Sequence, residues 1–388
     1  MQACCVIKNA RVVSPGIDSM VAAVEVENGR IARILPSGEP IPPSERVYEA
    51  HGMILAPGFI DIHTHGKGGH DFCDATTDSL GHIARAKLAE GVTSFLPTTL
   101  TLSSEHLRKT FESARHYFQN PTDAKVPGVH LEGPFINPEC VGAQNPEFVR
   151  DPDVEEIQAL DRLLPIRIVS LAIEMPGAVS VVKRLRDHGI IPSLAHSAAT
   201  YNQFLEGVAA GAEHLTHFCN QMTPLHHREI GLVGAGLLHD SVRLELICDG
   251  THLSPEMIQL AFKVAGPERI MLITDSIAAA GLGDNAHLTL GGLEVVVREG
   301  VARLPSGALA GSTLTMNEAL CRTHHATGLP LDQLIASTSW IQANALGLSL
   351  LGKIQSGFIA DLVLLDDGFQ PQAVFVDGTE RLGRIRPS

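Results

Sequence analysis

One feature constrains this chain more than any other: from Phe59 onward, short apolar runs alternate with helix-length amphipathic stretches, eight times over. The runs are FIDIH (59–63), TSFLPT (93–98), VPGVHLEG (126–133), IRIVSLAI (166–173), IIPSLAH (190–196), EHLTHF (213–218), RLELICD (243–249) and RIMLITD (269–275). Helical patterns such as DSLGHIARAKLAEG and SPEMIQLAFKVAG lie between them, and Ser254 before Pro255 reads as an N-cap with proline at the first helical position. Strands that alternate with helices predict a parallel sheet. Eight repeats within about 250 residues predict an α/β fold, a closed (β/α)8 TIM-type barrel. Pro192 must then sit near the start of its strand, where a missing N–H is tolerated.

The rhythm is absent at both ends. CVIKNARVV and AAVEVENGRIARIL read as strands with turns at Pro15-Gly16 and Asn28-Gly29, and ADLVLLDD and AVFVDG near the C-terminus are strand-like again. The expected organisation is a small β-sandwich domain built from both termini, residues 1–54 and 349–388, flanking a metal-dependent barrel over 55–348. HLTLGGLEVVVREGVARL (287–304) interrupts the barrel and predicts a β-hairpin insertion near 285–305, followed by helices over about 315–348.

Composition excludes several function classes. A net charge of −14 argues against nucleic acid as a partner. No apolar run approaches the ~20 residues of a membrane span, and the N-terminus lacks the basic start and apolar stretch of a signal peptide. Seven cysteines, an odd number with Cys4 and Cys5 adjacent and no CxxC pair, argue against a disulfide framework and for the reducing cytoplasm.

In a barrel enzyme the functional groups sit at the C-terminal ends of the strands. His63 and His65 end the first run, Glu132 the third, His196 the fifth, His217 the sixth and Asp275 the eighth, and His252 follows the seventh by three residues. His63 and His65, two apart on a strand, face the same way. A catalytic metal needs about three protein ligands and an open position. Glu132, His196 and His217 suffice for one divalent ion, and His63 with His65 can hold a second. Any one of these histidines alone would more often be a satisfied core residue; four of them with Glu132 and an aspartate at matched strand ends point to a metal site.

APGFIDIHTHG resembles the first-strand signature of the amidohydrolase superfamily. HLEGPFINP, LAHSAAT, THFCNQMTPLHHREIG, ICDGTHLSP, LITDSIAAAGLGD and LAGSTLTMNEA together resemble the N-acetylglucosamine-6-phosphate deacetylase family, from about residue 5 to residue 366. The resemblance implies that Glu132, His196 and His217 are the main metal ligands and that His63 and His65 are a second-metal pair. It implies that Asp275 is the catalytic acid/base and that His252, Asn220, Arg228, Ala143, Gln144 and the Leu309-Ala310-Gly311 turn contact substrate. It further implies hydrolysis of an amino-sugar phosphate acetamide, a homodimer in which Arg228 reaches the neighbour's phosphate, and a divalent metal. Zinc comes first, with iron, cobalt and manganese equally suited to such ligands. Many binuclear relatives place a carboxylated lysine at the end of the fourth strand; here that strand ends in Ile173-Glu174.

The loop after the sixth strand departs from the family pattern. Cys219 replaces an aromatic residue, Gln221 an alanine beside the substrate, and Ile230 a proline, while Trp340-Ile341-Gln342 replaces an Asn-Pro-Ala-like turn. Gln221 bears on specificity, so the galacto epimer, an unphosphorylated sugar and another amidohydrolase substrate stay open as alternatives.

Overall fold

The computed structural model describes residues 5–385 except 42 and 45; Cys4 and the outermost residues assigned to the terminal domain lie outside the described residues. At the centre, β1 (Phe59–Thr64) pairs in parallel with β2 (Val92–Pro97). A second parallel sheet runs in the order β3 (Val129–Glu132), β4 (Ile166–Leu171), β5 (Ile191–Leu194), β6 (His214–Leu215), β7 (Arg243–Ile247) and β8 (Ile270–Ile273). Parallel bridges Thr98↔His130 and Thr64↔Ser276 join the two sheets along both edges, so the strands curl around a common interior. Each strand overlaps one of the eight apolar runs and extends beyond it by at most one residue, β1 running on to Thr64 and β2 starting at Val92. Pro192 is the second residue of β5, and its carbonyl still accepts from Glu213 N at 3.0 Å.

Helices lie outside: α1 (Ser79–Leu88), α2 (Ser104–Gln119), α3 (Val154–Asp161), α4 (Ala178–Asp187), α5 (Tyr201–Ala210), α6 (Gly231–Leu238) and α7 (Pro255–Ala265). Their starts follow local chemistry. Ser103 accepts from His106 N, Thr200 and Gln203 form a capping box, and Ser254 caps α7 ahead of Pro255. α7 buries Ile258, Ala261, Phe262 and Ala265, the three-and-four spacing of one helix face. Each large side chain buried this way contributes roughly 1.5–3 kcal/mol.

Strand alternation sorts the central residues. Ile60, Ile62 and Leu131 belong to the apolar core, while Asp61, His63, His130 and Glu132 hydrogen-bond or pair across the interior. The interior is therefore polar near the C-terminal strand ends. β6 is shorter than the sequence predicts: Thr216 N still bonds Leu194 O, but the chain leaves the ladder at His217, whose φ is +31°.

The insertion after β8 contains three strands, His287–Leu290, Leu293–Arg298 and Val301–Arg303, rather than the two of a hairpin. Two tight turns explain the extra strand. Gly291-Gly292 and Glu299-Gly300 both have positive φ at consecutive residues, the geometry that reverses a twisted strand pair. α8 (Met316–Thr327), α9 (Leu331–Ala336) and α10 (Trp340–Ala345) follow.

Strands from both termini form one nine-stranded sheet, in which Leu362–Leu365 pairs antiparallel with Ile54–Pro57. The hydrogen bonding is continuous through the long strand Ile17–Glu27, which two groups of strands share. Ile17–Glu27 is long enough to pair with Arg11–Ser14 at its start and with Cys5–Lys8 and Arg30–Pro36 further on. No disulfide joins the described cysteines, and no helix of the described residues is long and apolar enough to cross a membrane.

Candidate active site

A cavity of about 220 Å3 opens at the C-terminal ends of the strands. His65, Glu132, His196, His217, His252 and Asp275 line it, joined by Ala143, Gln144, Asn220, Gln221, Leu309 and Gly311. His63 lies just beneath, fully buried. Three of the polar residues leave their strands in the left-handed region: His196 at φ +44°, His217 at +31° and Asp275 at +48°. Non-glycine residues adopt this region at a cost, and strained positions of this kind cluster where side chains must be aimed.

The aim is inward. Glu132 Oε1 stands 3.1 Å from His217 Nε2, 3.6 Å from His196 Nε2 and 3.5 Å from His63 Nε2. His217 Nε2 and His196 Nε2 are 3.0 Å apart. Asp275 Oδ1 faces His65 Nε2 at 3.1 Å and His63 Nε2 at 3.4 Å. Two groups of potential ligand atoms result, Glu132/His196/His217 and His63/His65/Asp275, each within 4.8 Å of one another.

The outer nitrogens of these rings explain the orientation. His196 Nδ1 donates to Cys140 O at 2.7 Å and His65 Nδ1 to Thr98 O at 3.2 Å, so in the neutral rings Nε2 carries the inward lone pair. Glu132 Oε1 and Asp275 Oδ1 are buried without a hydrogen-bond partner, although imidazole nitrogens surround both. Inward lone pairs and unsatisfied carboxylate oxygens form a set of acceptors with no donor, which is costly unless a cation fills it. The residues present fit a divalent metal.

Charge in the site follows the same logic. Burial pushes the Glu132 carboxyl up, but the surrounding imidazoles outweigh it and hold it well below the usual range. Asp275 is likewise held down, by His63 and His65 against burial. In return, Asp275 and Glu132 overcome burial to raise His65 to about 9.

Under the cavity lies a layer the sequence reading missed. Glu245 on β7 reaches His63 Nδ1 at 3.3 Å and His214 Nδ1 at 3.6 Å. His130 on β3 bonds Ile62 O and Ser170 Oγ. His63, His130 and Glu245 form a third ligand-like group, but His130 already has partners at both nitrogens. The signals were present: His130 is two residues before Glu132, and Glu245 is a charge inside the apolar run RLELI. Glu174, three residues past β4, accepts from Ser197 Oγ, Ala198 N and Asn137 Nδ2 and so ties the loops after β3 and β5.

Other sequence-picked residues fall variously. His252 Nδ1 bonds Asp249 Oδ2 at 2.7 Å, leaving Nε2 for a ligand. Asn220 Nδ2 bonds His217 O at 3.1 Å. Gln221, at φ +51°, lays its side chain over Gly142, where a Cβ would stand 3.0 Å from its Cγ. Gln144 lines the cavity, but both ends of its amide are engaged by protein, by Glu132 Oε2 and Thr101 N. Ala310 is fully buried behind the wall rather than on it. Arg228 is not brought to the cavity; it is exposed on a separate surface cleft, with Nη1 2.7 Å from His227 Nε2. Burial pushes the Cys219 thiol up to about 12, which makes it an inert neighbour. Gln342, in the departing Trp340-Ile341-Gln342 turn, is buried and bonds Leu272 O and Ser337 O, a structural role at β8.

Imidazole and carboxylate ligands converging at the strand ends of a curled parallel sheet define a class of metal-site hydrolases. The amidohydrolase family model matches residues 54–381, and the chain belongs to that family. Within it, the chain is 35% identical to the N-acetylglucosamine-6-phosphate deacetylase of Lysinibacillus sphaericus, over 98% of this chain and 97% of that protein. It is 40% identical to the N-acetylgalactosamine-6-phosphate deacetylase of Escherichia coli O157:H7, over 92% and 93% respectively. The crystal structure of N-acetylglucosamine-6-phosphate deacetylase from Thermotoga maritima superposes with a TM-score of 0.88 at 38% identity, covering 97% of this chain and 99% of that one.

Proposed function

We propose that this chain hydrolyses the acetamide of N-acetyl-D-glucosamine 6-phosphate to D-glucosamine 6-phosphate and acetate, using a divalent metal held by Glu132, His196 and His217. The observation that carries the reading is the donor-free set of buried acceptors around Glu132 Oε1, opposite the carboxylate of Asp275 and within one cavity. The names of the relatives supply the sugar. The fold reading that accompanies it is a closed (β/α)8 barrel over 55–348, with a small β domain from 1–54 and 349–388.

A bound divalent cation supplies polarisation of the acetyl carbonyl and a lowered pKa for the attacking water. Zinc suits these ligands first; iron, cobalt and manganese suit them chemically as well. Asp275, ionised in the site, takes the proton of the attacking water and returns it to the departing nitrogen, so that an amine leaves rather than an amide anion. His252 presents Nε2 to the substrate, held by Asp249. Ala143, Asn220, Gln221, Leu309 and Gly311 form the walls that seat the sugar. A second ion would rest on His63, His65 and Asp275.

Among the described residues, the cavity wall contains no lysine or arginine. A phosphate therefore needs a cation from elsewhere, and exposed Arg228 serves the site of a second copy in a homodimer, its planar fork matching phosphate oxygens. A second reading, the galacto epimer as substrate, is favoured by the 40% identity to an N-acetylgalactosamine-6-phosphate deacetylase and by Gln221 on the wall.

The test is a metal count by elemental analysis with acetate release from both phosphorylated epimers and both unphosphorylated sugars. The expected result is turnover of the gluco phosphate, abolished by chelation. Preference for the galacto phosphate selects the second reading. A metal-loaded protein that releases acetate from neither phosphate overturns both.

A further inference from the structure

We infer that Gln144 is a positioning residue for the metal site, fixing which oxygen of Glu132 faces the cation, rather than a contact to the sugar. The inference rests on the reading of Glu132 as a metal ligand. Gln144 is 5% exposed and sits in the loop after β3, held by a turn in which its N–H donates to Val141 O at 2.9 Å. Its side chain spans two loops. Thr101 N, in the loop after β2, lies 2.6 Å from Gln144 Oε1, and Gln144 Nε2 lies 2.9 Å from Glu132 Oε2.

The amide orientation is not arbitrary. A backbone N–H can only donate, so the Gln144 atom facing Thr101 N must be the carbonyl oxygen. The NH2 group then necessarily faces Glu132, and an ionised carboxylate can only accept. Both polar ends of the side chain are thereby matched to protein. Among the described residues, this is the one non-imidazole donor to the Glu132 carboxylate.

The consequence falls on Glu132. The last torsion of a glutamate is broad and sets no preferred plane by itself. Oε2 is tied to Gln144 and also faces His65 Nε2 at 3.3 Å, so the plane is fixed and Oε1 is the oxygen directed at His217 and His196, 3.1 and 3.6 Å away. Groups that orient a ligand in this way typically change metal affinity about 10–100-fold when removed.

The experiment titrates the metal-stripped full-length protein with Zn2+ alone against a chelating indicator. Gln144→Met keeps the volume and removes both bonds; Gln144→Ala removes the same bonds and serves if the first variant does not fold. The expected result is a Kd for zinc raised about 10–100-fold, in a metal-free variant whose circular dichroism spectrum matches that of the parent. KM of the zinc-saturated variant on its acetylated substrate is expected to stay within threefold of the parent. Zinc affinity unchanged in a folded variant overturns the inference, and a raised KM alongside it returns Gln144 to the role of sugar contact. The zinc readout needs no turnover, so failure of the substrate reading and failure of this inference are told apart.

Discussion

Asp275 shows how much a single residue carries. Its backbone is in the left-handed region, its N–H is bonded to His63 O at 2.9 Å and its carbonyl accepts from Ser312 N at 2.7 Å. Those bonds outweigh the strain and aim Oδ1 at His63 and His65. Replacing Asp275 with Asn keeps the shape and removes the proton acceptor. The expected outcome is a fall in kcat of about a thousandfold or more with the ion at Glu132, His196 and His217 retained, checked by kinetics beside elemental analysis. The residue was legible in the sequence because it ends an apolar run. Gln144 was legible only as a position in a resembling motif; its partners, 12 and 43 residues away in sequence, were not.

At the level of elements, β7 holds what the cavity rests on. Burial pushes Glu245 up, but bonds from His214 and His63, with the charges of His130 and His63, bring it from near 4.5 down to about 2. A folded value below the unfolded one means the stabilisation is fully present above about 4.5 and lost as pH falls toward 2. The contribution at neutral pH is on the order of 3 kcal/mol. Glu245→Gln should therefore lower the melting temperature of the metal-free protein by several degrees at pH 7 and by clearly less at pH 3, a contrast that paired thermal scans measure. Equal loss at both pH values would remove the charge-based account. Strand positions were readable because period-two alternation and run length are local. The two-residue length of β6 was not, because it depends on where His217 must turn to meet Glu132.

At the scale of the whole molecule, the cavity wall has no lysine or arginine among the described residues, while Arg228 lies exposed on a separate cleft. Arg228→Ala should raise KM for the phosphorylated sugar about 10–100-fold and leave the unphosphorylated sugar unaffected. If the arginine serves a neighbour's site, co-expressed Arg228→Ala and Asp275→Asn chains should regain turnover at the parent's low KM for the phosphorylated sugar, which neither variant shows alone, since one site of the mixed dimer then has both groups. Absence of any regain would place Arg228 outside the site. The sequence by itself determined the order of strands and helices, the polar residues at strand ends and the β-rich termini, because periodicity, capping and strand-end placement are written in neighbouring residues. Only the tertiary structure decided which oxygen of Glu132 faces His196 and His217, that Glu245 and His130 underlie the site, that Gln144 is engaged by Glu132 and that Arg228 stands apart. Those facts are distances between segments far apart in the chain, set by how the curled sheet brings its strand ends together.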